Sequence, residues 1–170
     1  MGTDYAEVNY GFEWKYSIYG GPPVMVTDYV KVSQTLKHGQ IVSRGYTAGS
    51  FRAAVDGDTS LYGVITHNLT TTATQATTKA TVIPFYPGYV WEAQCGAGMN
   101  GGSPIQYLGK LVDHDVPTAG RGRLDTGAET KLFQVVGCHP ADVGRTTQGK
   151  RLWVTILNSS TQWGAMVGET

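Results

Sequence analysis

The stretch Ala80-Thr81-Val82-Ile83-Pro84-Phe85-Tyr86-Pro87-Gly88-Tyr89-Val90-Trp91-Glu92-Ala93 decides the fold class. Two runs rich in β-branched and aromatic residues flank Tyr86-Pro87-Gly88. Such side chains suit a pleated, half-buried surface, and a Pro-Gly pair marks a turn. Neither run is long enough to be a helix before Pro or Gly interrupts it. Each therefore predicts a strand.

The same grammar repeats on both sides. Upstream stand Val24-Met25-Val26 with Tyr29-Val30-Lys31-Val32, Gln40-Ile41-Val42-Ser43, Phe51-Arg52-Ala53-Ala54-Val55 and Leu61-Tyr62-Gly63-Val64-Ile65. Downstream stand Ile105-Gln106-Tyr107-Leu108, Leu132-Phe133-Gln134-Val135-Val136 and Arg151-Leu152-Trp153-Val154-Thr155-Ile156-Leu157. Lys37-His38-Gly39, Ala48-Gly49-Ser50 and Asp56-Gly57-Asp58 supply turn chemistry between them. Apolar residues at helical spacing are nearly absent, so no helix longer than about three turns is expected. Short strands at such spacing predict an all-β domain over 24–157, a small barrel or a sandwich.

The 170 residues suit one domain. Hydrophobic residues make up 41% and charged residues 15%, which excludes a highly charged disordered chain. The formal net charge of +0 argues against a nucleic-acid binder held by bulk positive charge. No apolar run reaches the ~18 residues of a membrane-spanning helix. The opening Met1-Gly2-Thr3-Asp4-Tyr5-Ala6-Glu7 has neither a basic region nor an apolar one, so no secretory signal is expected. Cys95 and Cys138 are accordingly expected as free thiols.

Four segments fall outside the strand pattern. Residues 1–23 form an expected N-terminal arm with Tyr5, Tyr10, Phe12, Trp14, Tyr16 and Tyr19, ending in Gly20-Gly21-Pro22-Pro23. Alternation predicts Phe12, Trp14, Tyr16 and Ile18 on one face of an extended chain. That face either completes its own core as a first strand or lies across another subunit. On the second reading Tyr10, Phe12, Trp14, Tyr16 and Tyr19 bind a partner, and a homo-oligomer, a trimer foremost, follows. Leu69 to Lys79 is Thr-rich and reads as an exposed hairpin or loop. Gly96 to Glu129 reads as two long Gly-rich loops around a strand near 105–112. The tail, 158–170, carries Trp163 and reads as surface or partner contact.

Candidate chemistry is sparse. Asp113-His114-Asp115 reads as a solvated loop, because a metal would need further ligands such as His139 or Asp142. Cys138-His139 are adjacent, which rarely gives nucleophile and base the geometry they need. Asp56-Gly57-Asp58 lacks the downstream acidic positions of a calcium loop and reads as a hairpin turn. Gly120-Arg121-Gly122-Arg123 reads as a solvated loop. There is no phosphate-binding Gly-Lys-Ser/Thr motif and no dinucleotide fingerprint. No catalytic residue, metal or cofactor is assigned, and the chain is expected not to be an enzyme.

The region from Val30 to Ala93 resembles small β-barrel head decoration (cement) proteins of tailed bacteriophages. The resemblance rests on Leu36-Lys37-His38-Gly39-Gln40-Ile41-Val42, Phe51-Arg52-Ala53-Ala54-Val55-Asp56-Gly57-Asp58, Leu61-Tyr62-Gly63-Val64-Ile65, Ala80-Thr81-Val82-Ile83-Pro84 and Tyr89-Val90-Trp91-Glu92. In that pattern a turn launches a strand, a small-residue strand and a Gly-Val strand follow, and a hairpin returns. The arm and the region after Gly96 have no counterpart in it. The resemblance implies a virion structural protein on the outer capsid surface. Its partners would be the major capsid protein and copies of itself, with neither nucleic acid nor membrane involved. Repeated weak contacts on a lattice gain avidity, and an arm can add a strand to a neighbour's edge. The alternative is a carbohydrate- or host-surface-binding β module. Trp14, Trp91, Trp153 and Trp163 could then act as stacking platforms, although Trp91 and Trp153 lie in strand-like runs and are expected in the core.

Overall fold

Among the described residues thirteen strands follow in chain order: β1 (Phe12–Ser17), β2 (Val26–Tyr29), β3 (Thr35–Leu36), β4 (Ile41–Arg44), β5 (Phe51–Ala53), β6 (Gly63–Ile65), β7 (Leu69–Thr70), β8 (Lys79–Pro84), β9 (Tyr89–Gln94), β10 (Leu111–Asp115), β11 (Arg123–Asp125), β12 (Phe133–Cys138) and β13 (Arg151–Ile156). The structure, a computed structural model, describes residues 11–44, 50–55, 57–59, 61–72, 78–99, 101–116, 122–126, 131–147 and 149–157. One sheet has six strands in the order β1-β9-β13-β12-β10-β11, a second has five in the order β2-β8-β6-β4-β5, and β3 pairs with β7. The strand ladders are antiparallel throughout. The fold is all-β and sandwich-like. The five-stranded sheet curls until Val30, just past β2, bridges Phe51 of β5. That isolated bridge is not a ladder, and no sheet closes into a barrel.

The main core lies between the two larger sheets and includes Phe12, Ile41, Val64, Phe85, Trp91 and Phe133. A second cluster holds Val30, Leu36, Val42, Phe51, Tyr62 and Val82. Neighbours in one strand belong to different clusters: Ile41 and Val42, or Ile83 and Val82. At β4 and β6 the five-stranded sheet is therefore buried on both faces, whereas β2 and β8 alternate between more and less buried positions.

The 80–93 stretch holds two strands but no hairpin. β8 pairs with β2 and β6, whereas β9 pairs with β1 and β13. Pro84 ends β8 without an N–H to continue the ladder. Phe85 still donates its N–H to Tyr62 O at 2.9 Å, while its ring enters the main core against Trp91 at 5.0 Å. Tyr86-Pro87-Gly88 then carries the chain across to the other sheet.

Over its described part the N-terminal segment takes the first-strand reading of the two left open. Residues 12–17 are an edge strand of the sandwich, paired with β9. Phe12 is 2% exposed and its ring centroid lies 5.2 Å from that of Phe133. The single aromatic face is also lost. The register shifts between Trp14 and Tyr16, a β-bulge that turns the strand. Trp14 packs inward against Tyr89, and Tyr16 meets Trp153 of β13 edge-on.

Other expectations shift locally. Pro104–Tyr107 is a 3-10 turn instead of a strand, with Pro in its first turn, where the missing N–H costs nothing. The strand starts later, at Leu111. Asp113-His114-Asp115 lies in β10 and not in a solvated loop; Asp113 and His114 are buried. Arg123 begins β11 and pairs with Asp115 at 2.8 Å, so only part of the Gly120–Arg123 segment fits the loop reading; residues 117–121 lie outside the described residues. In the Thr-rich segment, Thr71 is buried, donating to Lys31 O and accepting from Gln34 N, each at 2.8 Å.

Gly63 shows how closely β6 and β8 approach. A Cβ there would sit 2.3 Å from Ile83 O and 2.8 Å from Pro84 Cα. Backbone on a central strand cannot retreat cheaply. Gly63→Ala is expected to cost about 3 kcal/mol, read as a lower denaturation midpoint. A midpoint equal to wild type would contradict the packing described.

Candidate functional site

From Tyr16 to Met25 the sequence reads Tyr-Ser-Ile-Tyr-Gly-Gly-Pro-Pro-Val-Met and carries no charge. β1 ends at Ser17, and the chain turns away from the sheet with Gly20 N donating to Ser17 O at 3.0 Å. Gly20 and Gly21 hold φ of 79° and 82°, a left-handed conformation that glycine adopts without steric cost. Pro22 and Pro23 then stiffen the return. Both limbs are tied to the sheet-to-sheet turn: Ile18 N donates to Gly88 O at 3.0 Å, and Val24 N to the Tyr89 hydroxyl at 2.9 Å.

This tethered loop presents apolar side chains to solvent. Ile18 is 62%, Tyr19 78% and Met25 59% exposed, and Tyr16 and Val24 are exposed beside them. Ile18 and Tyr19 also lie over Gly88, where an added Cβ would meet Tyr19 Cε2 at 2.5 Å. Exposed apolar surface of this kind is a candidate interaction surface, since interface centres are depleted in charge.

The predicted partner-binding residues separate. Tyr16 and Tyr19 belong to the exposed loop region. Phe12 is in the core and Trp14 packs against it. Tyr10 lies outside the described residues. Ile18, Val24 and Met25 complete the patch. Alternation includes Ile18 in the aromatic face, but Val24 and Met25 read as strand in sequence, and β2 starts only at Val26. The available signal was their position beside Gly-Gly-Pro-Pro, which interrupts a sheet.

The polar clusters make structural contacts. Asp58 accepts from Arg52 Nη2 at 2.8 Å, and from Val55 N and Ser43 Oγ at 3.0 Å each. Burial alone would raise its pKa, but these donors outweigh burial and hold the carboxyl below its usual range. Asp142 is likewise lowered despite burial, chiefly by hydrogen bonds from Arg151. His139 Nδ1 stands 3.2 Å from Ala141 N and 3.0 Å from Arg151 Nη2, engaged away from Cys138. Burial pushes the Cys95 thiol up to about 12 and raises that of Cys138. Both cysteines are free, and neither is a poised thiolate. Among the described residues no group of three His, Cys, Asp or Glu could hold a metal. Comparison of the chain with protein-family models, with curated proteins and with solved structures finds no match in any of the three.

The lowered carboxyls give an acid limb to stability. A carboxyl whose folded pKa lies below its unfolded value stabilises the fold above the unfolded value, and that contribution is lost as pH falls through the folded one. The ordinary value for Asp58 is 3.8, so its contribution is expected to be intact at neutral pH and to fade below that value. Asp58→Asn should flatten this limb in melting curves taken at descending pH. A limb as steep as wild type would remove Asp58 as its source.

Proposed function

We propose that this chain is a virion structural protein that binds the outer capsid surface and stabilises the shell, a decoration or cement role. The observation that carries the reading is the uncharged loop from Ile18 to Met25, held by backbone bonds yet presenting apolar side chains to solvent. Its backbone is tied at both ends before any partner arrives, which lowers the ordering cost of docking. The resemblance over 30–93 supports the same reading; it spans β3 to β9.

In this role Ile18, Tyr19 and Met25 enter an apolar seam between subunits of the major capsid protein. Copies of the chain associate as a homo-oligomer, a trimer foremost. Several loops then engage a lattice that repeats their spacing, and individually weak contacts sum by avidity. The role is mechanical and requires no chemistry from the buried carboxylates or thiols. Co-sedimentation tests it. The protein is mixed with expanded shells of the major capsid protein from the genome that encodes this chain. Saturable pelleting at a fixed ratio is expected. Protein that stays in the supernatant while the shells pellet would overturn the reading.

A further inference from the structure

Along β13 the burial alternates: Leu152, Val154 and Ile156 face the core, while Arg151, Trp153 and Thr155 face outward. Trp153 is therefore not a core residue, contrary to expectation. Its register partners are Glu92 on one side and Gly137 on the other. Indole Nε1 donates to Glu92 Oε2 at 2.8 Å. At the other edge, a Cβ on Gly137 would stand 2.8 Å from Trp153 Cε3. Opposite edges of one ring are thus fixed over two different neighbouring strands. The ring must lie along the sheet and turn one face away from it, and only a glycine at 137 leaves room.

Tyr16 stands beside this floor as a wall, its ring at 87° to the indole with centroids 6.3 Å apart. Glu92 is 6% exposed and also faces Lys15 Nζ at 3.6 Å. Burying a carboxylate this far is unfavourable unless it is paired, and here both partners serve to fix the indole and the strand edge. The surrounding outward positions are mostly polar, Gln94, Arg151, Thr155 and Gln134, with Val136 exposed at the bulge beside Gly137. Lys15 is matched by Glu92, and Arg151 by Asp142 at 2.8 Å. Each of these charged side chains therefore has an opposite charge against it, Asp142 being shared with Arg145 at 3.7 Å.

We infer that this outer face binds a neutral hexopyranose ring, with Trp153 as the stacking floor and Tyr16 as the side wall. The face of an aromatic ring is electronegative and attracts polarised C–H groups, which a pyranose displays on its flat sides. Its hydroxyls then meet the amide and hydroxyl groups of Gln94, Gln134 and Thr155 at the rim, and a few such placed groups fix orientation. A purely apolar partner would leave this polar rim unsatisfied, and an ionic ligand would find no uncompensated charge. The site lies on the sheet face; it shares Tyr16 with the edge of the apolar patch and uses none of Ile18, Tyr19 and Met25.

The test is a titration of tryptophan fluorescence with maltohexaose, cellohexaose and mannohexaose, alongside an array of neutral hexose oligosaccharides. Wild type is expected to bind at least one of them. Trp153→Ala should weaken that binding roughly tenfold or more. Gly137→Ala, which displaces the indole without removing it, should weaken it several-fold, and Trp153→Phe should retain part of it. The Phe variant and unchanged circular dichroism separate lost binding from lost folding. Trp153→Ala should still co-sediment with shells, so this site and the docking loop can fail independently. Absence of wild-type binding, or Trp153→Ala binding as tightly as wild type, would overturn the assignment. So would a change in solution mass without a change in sugar binding, which would make the face a contact between copies.

Discussion

Deletion of residues 1–19 is expected to yield a protein that aggregates or melts far below wild type. The deletion removes β1 from the edge of the six-stranded sheet and takes Phe12 out of the main core. It also uncovers β9, whose side chains are buried along nearly its whole length, and leaves an unpaired edge that invites aggregation. Phe12→Ala alone is expected to cost about 4 kcal/mol, a large share of a typical stability of about 5–15 kcal/mol. For a chain of this size that corresponds to a melting temperature lower by roughly 10 °C. Circular dichroism melts of the deletion and the point variant measure it. A truncated protein that melts at the wild-type temperature would contradict the placement of Phe12–Ser17 in the core.

The second large effect concerns the loop. Changing Ile18, Tyr19 and Met25 together to Ser should leave the melting temperature near wild type, because all three side chains are mostly exposed. Binding to shells should fall sharply. A large side chain truncated at an interface centre costs on the order of 2 kcal/mol, so three approach a loss of about four orders of magnitude in affinity. Avidity amplifies the loss, because each subunit in an oligomer is weakened. Sedimentation of the triple variant with shells, over a range of concentrations, measures it. Undiminished binding would move the docking surface elsewhere.

The strand content was legible because β-branched runs broken by Gly and Pro leave few alternatives. Runs such as Gln40–Ser43, Ala80–Phe85 and Arg151–Leu157 became strands with ends shifted by a residue or so. Pairing was not legible. Nothing local distinguishes a hairpin over 80–93 from a crossing between sheets; Phe85 decides it by what its ring meets 48 residues further on, at Phe133. The short strands β3, β7 and β11 were missed because two or three residues carry no period. Pattern placed Phe12, Trp14 and Tyr16 on one face, and the bulge at Lys15 undid it. Sequence alternation therefore identified the aromatic segment as important, while its division into core, side wall and exposed loop required tertiary contacts. The stacking position of Trp153 was hidden for a related reason: a Trp in a strand-like run reads as core until Gly137 and Glu92 are known to flank it.

The loop's role is tested most directly by placing a photoreactive phenylalanine analogue at Tyr19 and irradiating the protein on assembled shells. The docking reading predicts a covalent product joining this chain to the major capsid protein. The product should be absent when the analogue replaces Thr27, which lies on β2 beyond the apolar segment. A product formed only within or between copies of this chain, with shells present and occupied, would contradict it.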